Sequence, residues 1–432
     1  MTGSRALLKS LILIASSVGL MSQGGCVAQI QTQTPPLDGA FGVGVVETDW
    51  EHAFPDSPKR LKVKVWYPAE TAQPGEVAPY FSDAEAPGTI RAIETTLGFD
   101  DGSFDTLKLV KTRSISGAAI AKTDMGQFPL VMFGHGFWFY ISQNTALMEQ
   151  LASHGYIVVS VAHPKDSMPV HFSDGSVQET VQHSGETSAA ETAFFAATTH
   201  AERIALFPAF QAEIADHRVT KSHHIWVRDA LAVFDDLQNG RPDGPLADII
   251  PAMDFGTVAF GGMSFGGATA VSACAQRSKC KAAFNLDGLQ FDATFFNQNF
   301  DRPLLLVNAD RPQVQADEPF HCFGTTDALL NDYFYETHAS AGLNPNIVRM
   351  RVNDIKHMGF TDLPLLSSAE EHAEVLGSTK PEIAVEALNT TIRRFLDLHM
   401  KGDSNRARMG AVVPEIELRD ASAIRTWISH CR

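Results

Sequence analysis

The chain has 432 residues, 44% of them hydrophobic, and sets Asp+Glu 50 against Lys+Arg 34 for a formal net charge of -16. That length leaves ample core for one large domain with insertions, or for two. The acidic balance and the lack of a basic stripe argue against nucleic acid or another polyanion as partner.

The first residues, "MTGSRALLKSLILIASSVGLMSQGGCVAQ", place Arg5 and Lys9 ahead of an apolar run at 11–21. The run is too short to span a bilayer and suits a signal peptide. Residues 1–28 are therefore expected to be a leader cut after Ala28, with the protein exported to the periplasm or beyond. A lipoprotein leader cut before Cys26 is the alternative, and it would anchor the chain at a membrane surface. Gly24 and Gly25 fit that reading, but Gln23 stands where an aliphatic residue is usual. Four cysteines then remain, Cys274, Cys280, Cys322 and Cys431, in a disulfide-permissive compartment. Cys274 with Cys280 is the preferred pair, with four free thiols as the alternative.

Residues 29–40 read as a linker, Gln/Thr/Pro-rich at its start. "GVGVVETDW" and "RLKVKVWYPAE" follow as paired strands, the second alternating apolar and charged residues like an exposed early strand. "FPLVMFGHG" and "YIVVSVAH" are continuous apolar runs flanking a helical stretch at 144–154; "AAFNLDG", "RPLLLVNAD" and "NIVRMRV" repeat the style later. Such runs imply strands covered on both faces, and their alternation with helices implies a mostly parallel sheet with right-handed crossovers. The polar segment 171–221 breaks the rhythm before the helix "IWVRDALAVFDDLQ", and is read as a partly helical cap, with a solvated insertion as the alternative. His217, His223 and His224 inside "ADHRVTKSHH" read as solvated loop, and no metal site is expected. Residues 403–432 form a C-terminal extension to which no function is assigned.

Between these elements lies "TVAFGGMSFGGATA", 257–270, which contains a G-x-S-x-G spacing at Gly262, Ser264 and Gly266. With 32 glycines in the chain and ordinary serine usage, about 0.14 accidental matches would arise, so context decides. A short buried strand precedes Ser264 and small helix-compatible residues at 268–275 follow it, the strand–turn–helix order of a nucleophile elbow. There the serine takes a strained backbone conformation and its neighbours must be nearly free of side chains.

A serine hydroxyl needs an imidazole to take its proton and a carboxylate to orient that imidazole, in chain order serine, acid, histidine for α/β-hydrolases. Downstream stand His321, His338, His357, His372, His399 and His430. His357, in "RVNDIKHMGFTD" just after the last apolar strand, has the right context. Asp287 and Asp310 both end strands at the correct edge, and the residues alone leave that choice open. The oxyanion hole requires the amide of Phe265 and a second amide from the loop after "FPLVMF", where Phe137 is the natural donor. His135 is then structural. Phe137, Trp138, Phe139 and Tyr140 either wall an acyl pocket or belong to the core.

These residues resemble the plasma-type platelet-activating factor acetylhydrolases and their bacterial relatives, in the wider dienelactone-hydrolase-like group. The likeness covers roughly 42–402 and is carried by "KVKVWYPAE", "FPLVMFGHGF", "LASHGYIVVSVAH", "GMSFGGATA" and "IKHMGFTD". It implies an α/β-hydrolase domain at 41–402 with Ser264 as nucleophile, His357 as base, and Phe137 and Phe265 as oxyanion donors. It also favours Asp287 as the acid, because the family's acid follows the strand after the elbow. One departure is Met263, where the family usually has histidine; it reshapes the floor of the substrate site, which Trp138 and Phe139 are expected to wall. The implied activity is hydrolysis of short-chain acyl esters, including sn-2 acetyl groups of phospholipids, without metal or cofactor, on an ester or lipid small molecule. Lactone, dienelactone or polyester hydrolysis is the neighbouring alternative, and an inactive binding module the remote one.

Overall fold

Strand β1 (Gly42–Ala53) pairs antiparallel with β2 (Pro58–Ala69) along its whole length, with Asp49 opposite Lys62 and Glu47 opposite Lys64. The computed structural model describes residues 32–402, apart from 56–57, 72–74, 125, 182–188, 198–199, 216, 241–243, 293–299, 311–334, 336–343 and 367–371, together with 416–418. The expected leader with Cys26, and Cys322, Cys431 and most of 403–432, lie outside the described residues.

The chain continues through β3 (Val77–Pro79), helix α1 (Ala86–Leu97), β4 (Lys111–Ser116), β5 (Phe128–Gly134), α2 (Thr145–Ser153) and β6 (Ile157–Ala162). A two-stranded hairpin, β7 (Val170–His171) with β8 (Val177–Gln178), leads to α3 (Ala189–Ala196), α4 (His200–Ile214) and α5 (Arg218–Gln238). Then come β9 (Met253–Met263), α6 (Phe265–Ala275), β10 (Cys280–Leu286), β11 (Leu304–Asn308), β12 (Ile347–Val352), α7 (Pro381–Met400) and β13 (Ile416–Leu418).

The main sheet runs β13-β12-β11-β10-β9-β5-β6-β2-β1-β4-β3, and the block from β12 to β6 is parallel throughout. As the continuous apolar runs imply, each central strand is covered on both faces. Successive side chains of a strand point to opposite faces, so each divides between two cores. Val131, Phe133, Phe284 and Leu305 pack with α1, α2 and α7 on one side; Leu130, Met132, Phe260 and Leu304 pack with α5 and α6 on the other. The expected nucleophile strand, β9, lies between β5 and β10 in the interior of the sheet.

Three expectations need correction. β2 is not exposed: it lies between β1 and β6, and Lys62 and Lys64 are each only 8% exposed. Their charges are met across the strand pair, Lys62 by Asp49 at 3.1 Å and Glu47 at 3.3 Å, and Lys64 by Glu47 at 3.3 Å, so the alternation marks paired charges rather than a solvent face. The histidine-rich "ADHRVTKSHH" is not a solvated loop, since α5 begins at Arg218 with His217 as its N-cap, and His223 is fully buried with Nε2 2.9 Å from Ser272 Oγ. Part of the expected linker packs against the domain: Thr34 is buried, its hydroxyl donates to Glu149 at 2.5 Å, and its carbonyl accepts from Arg113 Nε.

Within 171–221 the described residues form the hairpin, α3, α4 and the start of α5; Phe194 of α3 stacks on Phe210 of α4 at 4.2 Å. The preferred cysteine pair is bonded, Cys274–Cys280, joining the end of the helix after Ser264 to the start of the strand that leads to Asp287. β13, in the C-terminal extension, adds antiparallel to β12 and extends the sheet. No helix among the described residues is long and apolar enough to cross a membrane.

Candidate active site

Ser264 stands between β9 and α6 with φ 56° and ψ -129°. A non-glycine residue is rarely found at positive φ, and here the close approach of neighbouring backbones holds it. A Cβ on Gly266 would lie 2.2 Å from the Gly134 carbonyl oxygen, and one on Gly262 2.5 Å from the same atom. The crossing of β5 over the elbow therefore requires glycine at both ends of the motif. The Ser264 amide donates to the Leu286 carbonyl at 2.7 Å, tying the turn to β10.

The structure brings the three expected triad residues together. Ser264 Oγ is 2.9 Å from His357 Nε2, and His357 Nδ1 is 2.7 Å from Asp287 Oδ2. The other oxygen of Asp287 accepts the Ala309 amide at 2.9 Å, and Asp287, at φ 55°, donates its own amide to Val307 at 2.8 Å. The carboxylate is thus oriented by β11 while its side chain is buried. A carboxylate on Nδ1 makes that nitrogen the N–H donor and leaves Nε2 as acceptor for the serine hydroxyl. His357 opens a single helical turn, His357–Phe360, after β12. Asp310 is turned elsewhere: its Oδ2 accepts the Asp354 amide at 2.9 Å and Oδ1 lies 3.4 Å from Arg351.

Phe137 and Phe265 flank the serine, and among the described residues neither amide donates to a hydrogen-bond acceptor. The loop carrying Phe137 is held from below. Trp138, itself at φ 54°, donates its amide to the Asp166 carbonyl at 2.8 Å, and the Asp166 carboxylate takes Arg218 at 2.7 Å and Trp226 Nε1 at 3.2 Å. His135 is fully buried, with Nδ1 on the Gly136 carbonyl and Nε2 on Ser167 Oγ; burial pushes its pKa down to about 3, so it stays neutral.

A cleft with about 580 Å³ of empty space, part of it open to solvent, lies over Ser264 and His357. Trp138, Phe139 and Met263 line it together with Phe137 and Phe265, whereas Tyr140 is buried and hydrogen-bonded to Tyr80. Thr96 and Leu97 of α1, Val219 of α5 and Met358 complete the wall. Sequence reasoning missed these four, because nothing in the 77–116 region or in isolated apolar residues announces which cleft they face. Among the described residues no group of three or more His, Cys, Asp or Glu side chains is placed to hold a metal ion.

The family model for platelet-activating factor acetylhydrolase, isoform II, matches residues 26–408. The platelet-activating factor acetylhydrolase of Canis lupus familiaris is 24% identical over 298 residues, 66% of this chain and 61% of that protein. The Bos taurus protein of the same name is 22% identical over 305 residues, 66% of this chain and 62% of that protein. The chain thus spans about three-fifths of these curated relatives. A ferulic acid esterase from Streptomyces cinnamoneus superposes with a TM-score of 0.63 at 22% identity, over 90% of this chain and 99% of that one, which shows the fold. The sheet with its central elbow is an α/β-hydrolase fold, and with the family model matched over most of its length the chain belongs to the platelet-activating factor acetylhydrolase, isoform II, family.

Proposed function

We propose that this protein is a serine hydrolase of carboxylic esters with short, uncharged acyl groups. The observation that most supports it is the unbroken line from Asp287 Oδ2 through His357 to Ser264 Oγ, at 2.7 and 2.9 Å, opening into an apolar cleft. In this reading Ser264 Oγ attacks the ester carbonyl as His357 Nε2 takes its proton, and Asp287 stabilises the imidazolium. The amides of Phe137 and Phe265 receive the charge that develops on the carbonyl oxygen. His357 returns the proton to the departing alcohol, and water, activated by the same imidazole, releases the acyl group. The chemistry calls on no metal or cofactor.

Family membership and the names of the curated relatives favour acetyl esters, phospholipid sn-2 acetyl groups among them. The lining favours neutral acyl groups over dienelactones, whose carboxylate would meet no lysine or arginine among the described lining residues. A panel of p-nitrophenyl esters of increasing chain length, an sn-2 acetyl phospholipid, a lactone and a dienelactone tests the reading with purified protein. Activity on acetyl esters, fading with chain length, is expected; preference for the dienelactone would reject the ester assignment.

A further inference from the structure

Two buried side-chain amides, which the triad does not use, lie between the loop that carries Phe137 and the turn that carries His357. Gln143 is fully buried and Asn144 is 5% exposed, directly ahead of α2. The Gly136 amide donates to Gln143 Oε1 at 2.8 Å. Gln143 Nε2 donates to Asn144 Oδ1 at 2.9 Å, and Asn144 Nδ2 donates to the Phe360 carbonyl at 2.6 Å. The ends fix the direction of the whole line, because a backbone N–H can only donate and a backbone carbonyl can only accept. A main-chain tie runs beside it: the Asp362 amide donates to the Gln143 carbonyl at 2.8 Å.

Gly136 immediately precedes Phe137, and Phe360 closes the turn that His357 opens. These two loops follow β5 and β12, which are separated in the sheet by β9, β10 and β11, so strand register does not join them directly. The amide line does. Its burial means that breaking one link strands a polar group away from water, so the line has a single satisfied arrangement.

We propose that Gln143 and Asn144 are positioning residues, a relay that sets the Phe137 amide relative to the His357 imidazole. The inference rests on the reading above, in which that amide and His357 serve the attack of Ser264. Neither side chain touches the reacting atoms. Their effect is on where the oxyanion donor and the base stand, and a displacement of about 1 Å at such a site costs on the order of 100-fold in rate.

The test uses the full chain with Gln143→Glu, whose ionised form keeps the acceptor for Gly136 and loses the donor to Asn144, and Asn144→Asp, whose ionised form keeps the acceptor and loses the donor to Phe360, each measured across pH 7 to 10 because burial favours the protonated carboxyl. The double variant and Ser264→Ala are measured alongside. Hydrolysis of p-nitrophenyl acetate gives kcat and KM, and a trifluoromethyl ketone, whose adduct with the serine carries an oxyanion, gives Ki. The relay predicts kcat lower by about 10- to 100-fold with KM within about threefold, and Ki rising by the factor that kcat/KM falls. The double variant should be no worse than the weaker single one. Simple loss of folded protein would lower kcat without moving Ki. Should an acid variant fail to fold, Gln143→Met and Asn144→Ser are judged by the same readouts. Folded variants with unchanged kcat and Ki, or losses that multiply in the double variant, would overturn the relay while Ser264→Ala stays inactive. Full activity in Ser264→Ala would instead remove the reading on which the relay rests, and the relay with it.

Discussion

Asp287 reaches Nδ1 of His357 at 2.7 Å with one carboxylate oxygen while the Ala309 amide holds the other at 2.9 Å. Asp310, the competing acid by sequence, spends its carboxylate on Asp354 and Arg351. Changing Asp287 to asparagine keeps the shape but favours the wrong imidazole tautomer, so kcat should fall by about 10⁴-fold. Asp310→Asn should lose less than about tenfold, since it breaks only a loop contact. Steady-state rates on p-nitrophenyl acetate, with circular dichroism to check folding, decide between them. The large loss in Asp310→Asn alone would move the acid to the later strand.

The Cys274–Cys280 bond closes a loop with a sequence separation of 6. A loop of that size restricts the unfolded chain by about 2 kcal/mol. Replacing both cysteines with alanine should lower the thermal midpoint by about 2 °C, yet leave activity at 25 °C within about twofold, because the elbow glycines and sheet still hold Ser264 and Asp287. Thermal melts and rates of the double variant check both halves. A variant that melts at the wild-type temperature would deny the bond a role in stability.

Burial pushes His223 down to about 4, while a histidine in the unfolded chain titrates near 6.5. Between those values the unfolded chain binds a proton that the fold refuses, so stability falls as pH falls through the window. With Asp292 and His224 acting on it, His223 should cost about 1 to 2 kcal/mol between pH 6.5 and 5. Urea unfolding of the wild type and of His223→Gln, each at pH 6.5 and 5, separates the share of this buried cluster from that of groups elsewhere. The wild type should lose about 1 to 2 kcal/mol more than the variant on acidification; equal losses would contradict a neutral buried His223.

Much of this architecture is legible in local sequence because local physics sets it. Continuous apolar runs announce β5, β6 and β9 to β12, and the glycines around Ser264 announce the elbow, since only they permit the Gly134–Gly266 approach. The order serine, acid, histidine leaves six downstream histidines, and the place of His357 just after the last apolar strand picks it out. What stays hidden depends on partners far along the chain. β2 looks exposed until Asp49 and Glu47 are found opposite its lysines, and His223 looks solvated until Ser272 receives it. Gln143 and Asn144 carry no signal at all, because their meaning lies in Gly136 on one side and Phe360 on the other.

Covalent labelling decides whether Ser264 is the nucleophile. A fluorophosphonate probe is applied to the wild type and to Ser264→Ala, the labelled peptide is located by mass spectrometry, and ester hydrolysis is measured on the same samples. The wild type should carry a single phosphonyl group on Ser264 and lose activity with its attachment. Ser264→Ala should remain folded, take no label, and hydrolyse esters about 10⁶-fold more slowly. Labelling of Ser264→Ala to the wild-type extent, or an active wild type that takes no label, would contradict the account.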